Sequence, residues 1–221
     1  MKNVIITGAS RGIGLELAKI FSKQYNVYAL CRKPSEALLK LEHVVAIPNV
    51  DLKSWITIDQ AVKKCPDKIH LIINAAGILD GGSAPIGKLA AKSIQEQFVV
   101  NAMAPLFLVQ SALDKLQKSA KVVMITSRMG SMGDNTSGGY YGYRMSKAAM
   151  NAMAVSLSID LRQRGIAIGL LHPGFVRTQM TGYAGQYTPE ESAELLAGRI
   201  NQLTLENSGE FRHARGEVLP W

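Results

Sequence analysis

The sequence predicts an α/β protein: a mainly parallel, doubly wound sheet with helices on both faces, three layers in all. Three observations predict it. The chain opens as a β-branched run, a glycine turn and an amphipathic run, Lys2–Thr7, Thr7–Gly14 and then LELAKIFSK. Apolar runs of strand length keep alternating with helical ones to the end of the chain. One of them, Ile69–Asn74, is apolar almost throughout rather than at every second residue, as a strand covered on both sides must be.

Length and composition set the frame. The 221 residues suit one large α/β unit, and 47% hydrophobic with 19% charged residues is a composition with an ample core. With no repeat, linker or low-complexity stretch, residues 1–221 are expected to form one domain. No apolar run approaches the ~18 residues of a membrane span. The opening MKNVIITGAS has too short an apolar part for a signal peptide. Cys31 and Cys65 form no CxxC pair and no zinc-like spacing, so free thiols in a reducing cytoplasm are expected, and no metal. The net charge of +8 is spread out: residues 1–110 hold 13 basic and 8 acidic residues, residues 111–221 hold 12 and 9. A scattered surplus of this kind gives no basic arm for nucleic acid and is compatible with a polyanionic small molecule.

The elements follow in order. After the first strand, glycines at 8, 12 and 14 let backbone approach a ligand, and the free N–H groups of the next helix favour a phosphate. Their spacing is Gly-x-x-x-Gly-x-Gly, not the usual dinucleotide fingerprint. A second strand over Asn26–Cys31 should lie parallel to the first. An NAD enzyme needs a carboxylate after it for the ribose 2′-hydroxyl, and NADP a cation for the 2′-phosphate. Cys31 stands where the acid would fall, Arg32 and Lys33 follow, and Arg11 lies in the glycine loop. The planar guanidinium fork suits phosphate, so NADP(H) is favoured over NAD(H). His43–Pro48 reads as the third strand. Asp51 beyond it could bond an adenine amino group or cap the helix that starts near Trp55.

The strand Ile69–Asn74 runs into Asn74-Ala75-Ala76-Gly77, small enough to pass close to a flat ligand. A long helix is predicted from Ser93 to Lys118, bent near Pro105, with Asn101 on its apolar part in need of a partner. The fifth strand, Lys121–Thr126, delivers Ser127 at its carboxyl end, the edge where open α/β sheets bind ligands. The next helix starts near Tyr140 and runs to Arg164. Tyr143 and Lys147 are i and i+4 on it, so an ammonium stands beside a phenol and should pull its pKa down. A phenol so tuned can protonate a carbonyl oxygen or deprotonate an alcohol, with Ser127 as a second donor. Ile166–Leu171 is the sixth strand. Pro173 and Gly174 after it turn the chain, leaving Val176 N–H and the Thr178 hydroxyl for a carboxamide or phosphate, and His172 reads as structural. Residues 181–188 resemble a flap, Glu190–Gln202 a helix begun by Thr188–Pro189, and Trp221 a docked terminus. Met129, Met132 and Tyr183 are candidate substrate walls.

Thr7–Gly14, Asn74–Gly77, Asn101, Ser127, Tyr143/Lys147 and Pro173–Gly174, in this order, resemble the short-chain dehydrogenase/reductase family over essentially the whole chain. TSRMGSMGDNTSGGYYGYRMSKAAMN, LLHPGFVRTQM and SGEF…GEVLPW are similar to the C-factor cell–cell signalling proteins and the sniffer-type carbonyl reductases within it. Tyr143 follows Ser127 by 16 positions, longer than the family's usual interval, so the added loop should shape the substrate mouth.

The resemblance implies a Rossmann fold. It makes Tyr143 the acid/base, Lys147 its pKa depressor and a ligand of the nicotinamide ribose, Ser127 the holder of the substrate oxygen, and Asn101 the anchor of a water linking Lys147 to solvent. The nucleotide would meet Gly8, Ser10, Arg11, Gly12, Ile13, Gly14, Arg32, Asp51, Leu52, Asn74, Ala75, Ala76, Gly77, Tyr143, Lys147, Pro173, Gly174, Val176 and Thr178. It further implies a homo-oligomer, dimer or tetramer, built on the two long helices, and a small carbonyl or alcohol substrate. Two activities follow: an NADPH-dependent carbonyl reductase, or a C-factor-like signalling protein that keeps the nucleotide site as sensor or relic.

Overall fold

The computed structural model describes residues 1–82 and 84–221. The chain runs β1 (Lys2–Thr7), α1 (Gly12–Phe21), β2 (Tyr25–Leu30), α2 (Glu36–Leu39), β3 (Val44–Ile47), α3 (Trp55–Lys63) and β4 (Ile69–Asn74). It continues with α4 (Ala91–Phe98), α5 (Ala104–Ala112), β5 (Leu116–Ile125), α6 (Tyr141–Asp160), β6 (Ala167–His172), α7 (Pro189–Gln202) and β7 (Phe211–His213). The seven strands form one sheet in the order β3-β2-β1-β4-β5-β6-β7, every neighbouring pair parallel. The order reverses between β1 and β4, and that is where a crevice opens at the carboxyl edge of such a sheet.

The two-residue period of a strand sorts its side chains between the faces. Ile5, Ile72, Val122 and Met124 pack with α3, α5 and α6 on one side, and Val4, Ile6, Leu71, Ile73 and Val123 with α1 and α7 on the other. Ile5, Ile6, Leu71, Ile72 and Ile73 are fully buried, each contributing about 1.5–3 kcal/mol relative to exposure. This is the doubly wound Rossmann architecture that the alternating runs predict.

The differences from the sequence reading are local. The helical run expected over 93–118 spans Ala91 to Lys115, with a π-helical turn over Val99–Met103 and a closing 3₁₀ turn over Leu113–Lys115. Pro105 has no N–H for the carbonyl of Asn101, and the wider π turn takes up the mismatch just before it. The helix ends early because Leu116 is already in β5, paired to Ile69 ahead of an irregularity in the β4–β5 register. Asp51 does not cap α3: Ser54 holds that position, and Asp51 Oδ1 instead accepts from Lys53 N–H (3.0 Å) in the turn before it. Helix α2 and strand β7 are too short to show a period in the sequence. Helix α7 begins with the reciprocal capping box of Thr188 and Glu191, with Pro189 in its first turn. Among the described residues no helix is long and apolar enough to cross a membrane.

Candidate active site

The loops after β1 and β4 meet backbone to backbone. Gly8 has φ +72°, and a Cβ on it would lie 2.8 Å from the N and Cα of Ala76; one on Gly14 would lie 2.3 Å from the carbonyl oxygen of Gly8. Only glycine allows this approach. Arg11 stands before α1 in extended conformation and makes no side-chain capping bond, so the first-turn N–H groups at Gly12, Ile13 and Gly14 have no cap from it. Ser10 Oγ donates to the carbonyl of Lys33 (2.8 Å), which joins the glycine loop to the turn after β2. There Arg32 and Lys33 are exposed, and among the described residues neither forms an ion pair. Arg11 itself donates to Gln179 Oε1 across the cleft. Asp51 and Leu52 are half-buried beyond β3.

Ser127, Tyr143 and Lys147 come together on the other side of the switch point. Ser127 opens the 3₁₀ turn Arg128–Gly130 after β5, its Oγ accepting from Met129 N–H (3.1 Å). Tyr143 lies in the first turn of α6 and Lys147 one turn on, and the Lys147 Nζ stands 5.7 Å from the centre of the phenol ring while donating to the carbonyl of Ile125 (2.9 Å). A Cβ on Gly77 would come within 3.6 Å of that Nζ, so the ammonium faces the loop that Gly8 touches.

The ionisation of this group corrects the sequence reading. Burial pushes the Tyr143 phenol up to about 12, with the facing Ser127 hydroxyl pulling it partly back. Burial also brings the Lys147 ammonium down to about 8. Desolvation decides the direction of the Tyr143 shift, against the depression expected from Lys147, and Tyr143 is protonated at neutral pH. Asn101, fully buried, finds partners other than the water expected for its side chain. Its Nδ2 donates to the carbonyl of Ile78 (2.8 Å) and to Ser146 Oγ (2.9 Å), and its Oδ1 accepts from Ile78 N–H (2.8 Å). It clamps the loop after β4 to the helix that carries Tyr143 and Lys147. Ser146, three residues on from Tyr143, carries no sequence signal of that clamp.

A family model for short chain dehydrogenases matches residues 2–188. The chain belongs to that family. Among relatives, a 1-hydroxy-2-glutathionyl-2-methyl-3-butene dehydrogenase of Rhodococcus sp. (strain AD45) is 34% identical over the full length of both chains. The C-signal protein of Myxococcus xanthus is 37% identical over 163 residues, 73% of this chain and 98% of that one. Among solved structures, the carbonyl reductase Sniffer of D. melanogaster superposes with a TM-score of 0.91 at 28% identity, covering both chains fully. An NADPH-bound carbonyl reductase from chicken fatty liver gives 0.89 at 29%, covering 100% of this chain and 99% of that one.

As a short-chain dehydrogenase the chain is an oxidoreductase of a family that uses a nicotinamide cofactor, and its residues fit one. The Gly8–Ala76 contact leaves a cradle that a Cβ would fill, beside uncapped helix N–H groups suited to a pyrophosphate. Gly174 and buried Val176 lie over the same edge, where Pro173 C=O accepts from Ser192 Oγ (2.8 Å) and Thr178 N–H is committed to Thr181 Oγ1 (3.1 Å). The segment foreseen as a flap is tied back by Gln186 N–H and Tyr187 N–H to the carbonyl of Phe175. His172 packs edge-on against His213 at 5.0 Å, and burial lowers it to about 3, which leaves it a neutral structural group. Both cysteines are free and buried. Met132 and Tyr183, expected as substrate walls, are 76% and 72% exposed. Arg128 and Arg144, which hold the loop between Ser127 and Tyr143, carry no sequence signal beyond their adjacency to those residues.

Proposed function

We propose that this short-chain dehydrogenase is an NADPH-dependent carbonyl reductase, with Tyr143 as proton donor. The observation that carries the reading is a buried phenol with the Lys147 Nζ 5.7 Å from its ring centre, beside the Ser127 hydroxyl at the carboxyl edge of β5. Ser127 and Tyr143 together hold the oxygen of the substrate, and the proton of Tyr143 passes to it as charge develops there. Lys147, cationic at neutral pH and fixed by the Ile125 carbonyl, stabilises the phenolate left behind and bonds the nicotinamide ribose. Asn101 keeps a water near Lys147 through its main-chain carbonyl, the group that Pro105 cannot satisfy, since its amide is committed to Ile78 and Ser146. The dinucleotide, when bound, supplies the hydride. Gly8, Gly12, Ile13 and Gly14 hold its pyrophosphate, Asp51 and Leu52 its adenine, and Asn74 to Gly77 with Pro173, Gly174, Val176 and Thr178 its nicotinamide end. Arg11, Arg32 and Ser10 line the 2′-phosphate, and the NADPH in the chicken reductase supports that preference.

Replacing Tyr143 with phenylalanine tests the assignment. Turnover should fall by about 10²- to 10⁴-fold or more, with NADPH affinity by fluorescence titration within error of wild type. A variant reducing aldehydes at the wild-type rate would remove Tyr143 from the chemistry. The C-signal relative motivates a second reading, in which the nucleotide site senses rather than reduces. That reading expects Tyr143→Phe to keep a signalling phenotype which a Gly14 substitution destroys.

A further inference from the structure

The chain does not stop at the sheet edge. After β7 it turns, Gly216 N–H bonding the carbonyl of His213 (2.7 Å), and returns antiparallel, with His213 N–H to Glu217 C=O (2.9 Å) and Leu219 N–H to Phe211 C=O (2.8 Å). Trp221 then stacks on buried Phe211 at 5.6 Å, and its carbonyl accepts from Gly133 N–H (2.7 Å) in the loop between β5 and α6. The returning segment brings Glu217 to Arg128: Nη2 to Oε1 is 2.9 Å, while Nε of the same guanidinium lies 3.0 Å from Asp134 Oδ2 in that loop. Arg128 follows Ser127 directly. At the other end of the loop Arg144, next to Tyr143, donates to Ser137 Oγ (2.9 Å).

We propose that Arg128 is a positioning residue that locks the hairpin formed by residues 211–221 onto the loop 131–138, and thereby fixes Ser127 and the substrate wall beside it. What the lock serves rests on the carbonyl-reductase reading; the lock itself rests on geometry. One planar guanidinium held between two carboxylates from separate segments, hydrogen-bonded to Glu217 and ion-paired with Asp134, is a task for arginine rather than lysine, whose point charge sits at the end of a flexible stem. Arg128, Asp134 and Glu217 are each partly open to water, so the ion pairs add little to global stability. Their effect is on where a loop sits, and misplacement beside a reacting group is costly to the reaction.

The experiment uses 4-nitrobenzaldehyde as a neutral probe and 4-carboxybenzaldehyde as an anionic one, at saturating NADPH, with amide hydrogen exchange on the same proteins. Arg128→Gln should lower kcat/KM for the neutral aldehyde about fivefold, through kcat as well as KM because Ser127 is displaced with the loop, and speed exchange in residues 131–138 and 217–221. Asp134→Asn with Glu217→Gln should reproduce both changes, and adding Arg128→Gln to that pair should add nothing, because the three act as one unit. Arg128→Lys should fall between. Unchanged exchange in Arg128→Gln would overturn the lock. So would a KM rise confined to the carboxylated aldehyde and persisting in the Asp134/Glu217 background, which would make Arg128 a substrate contact. If the wild type reduces neither aldehyde, the reductase reading fails for these probes, while the exchange data still decide the lock.

Discussion

The loops after β1, β2 and β3 work with backbone and exposed charge, whereas those after β4 and β5, with the start of α6, work with side chains taken out of water. On the first side Gly8 and Gly14 are selected by close approach, and Arg32 and Lys33 stand in solvent. On the second, Asn101, Ser127, Tyr143 and Lys147 are all buried, and burial sets their ionisation and their hydrogen bonds. The difference teaches where stability and function are coupled. A change to an exposed charge on the first side should alter affinity alone; a change on the buried side should alter stability and turnover together.

Lys147→Met should give the largest effect. It removes the cation beside the phenol, and turnover should fall by about 10²- to 10³-fold. Stability at pH 7 should rise, by about 1–3 kcal/mol, because a buried ammonium with a single backbone carbonyl partner and no carboxylate is replaced by an apolar stem. The pH dependence has a definite sign. Lys147 titrates near 8 in the folded chain and at 10.5 unfolded, so between those values the unfolded chain holds the proton that the folded one has released. Wild-type stability therefore climbs with pH across that window, and below 8 its penalty is complete. The gap between variant and wild type should be widest at neutral pH and close towards 10.5. Tyr143, raised to about 12, acts oppositely above 10, but both proteins share it. Denaturant melts at pH 7, 9 and 10 check this, and a variant less stable at pH 7 would break the comparison on its buried side.

Asn101→Ala comes next. It leaves the N–H and C=O of Ile78 and the hydroxyl of Ser146 without their partner, at a cost of about 2–3 kcal/mol. For a chain of this length that is a fall of about 4–12 °C in Tm. Calorimetry reads it. A Tm within a degree of wild type would mean the clamp holds nothing.

The two sides also differ in how much the sequence discloses. Thr7–Gly14 and the run Ile69–Asn74 announce strand, turn and covered strand because backbone demands leave glycine and β-branched residues behind. Six of the seven strands are legible for that reason; β7 is not, since three residues cannot show a period and its pairing comes from distant β6. In the site, Tyr143 and Lys147 are legible by spacing and Asn101 by being polar in an apolar run. The direction of the tyrosine shift is not, because spacing reports the neighbouring charge and says nothing of desolvation, which raises the phenol. Arg128 escaped for a related reason: its carboxylate partners, Asp134 and Glu217, meet only through the fold-back of residues 214–221.

Arg32→Glu should give the smallest effect and the cleanest test of the exposed side. Arg32 lies in solvent at the turn after β2, where its backbone carbonyl accepts from Asn49 N–H (3.0 Å) and its side chain makes no ion pair among the described residues. Replacing it leaves the backbone bond and the core untouched, so Tm should move by less than about 0.5 kcal/mol equivalent. A guanidinium–phosphate bond is worth about 1.5–3 kcal/mol, so NADPH should bind some ~10- to 100-fold more weakly. The glutamate also offers an acceptor for a ribose hydroxyl and repels a phosphate, which tilts preference towards NADH. Arg11, Ser10 and Lys33 remain, so binding weakens rather than disappears. Paired titrations with NADPH and NADH, at low and high salt, separate the outcomes. A preference unchanged by Arg32→Glu would move 2′-phosphate recognition to Arg11, the cation already engaged with Gln179 across the cleft.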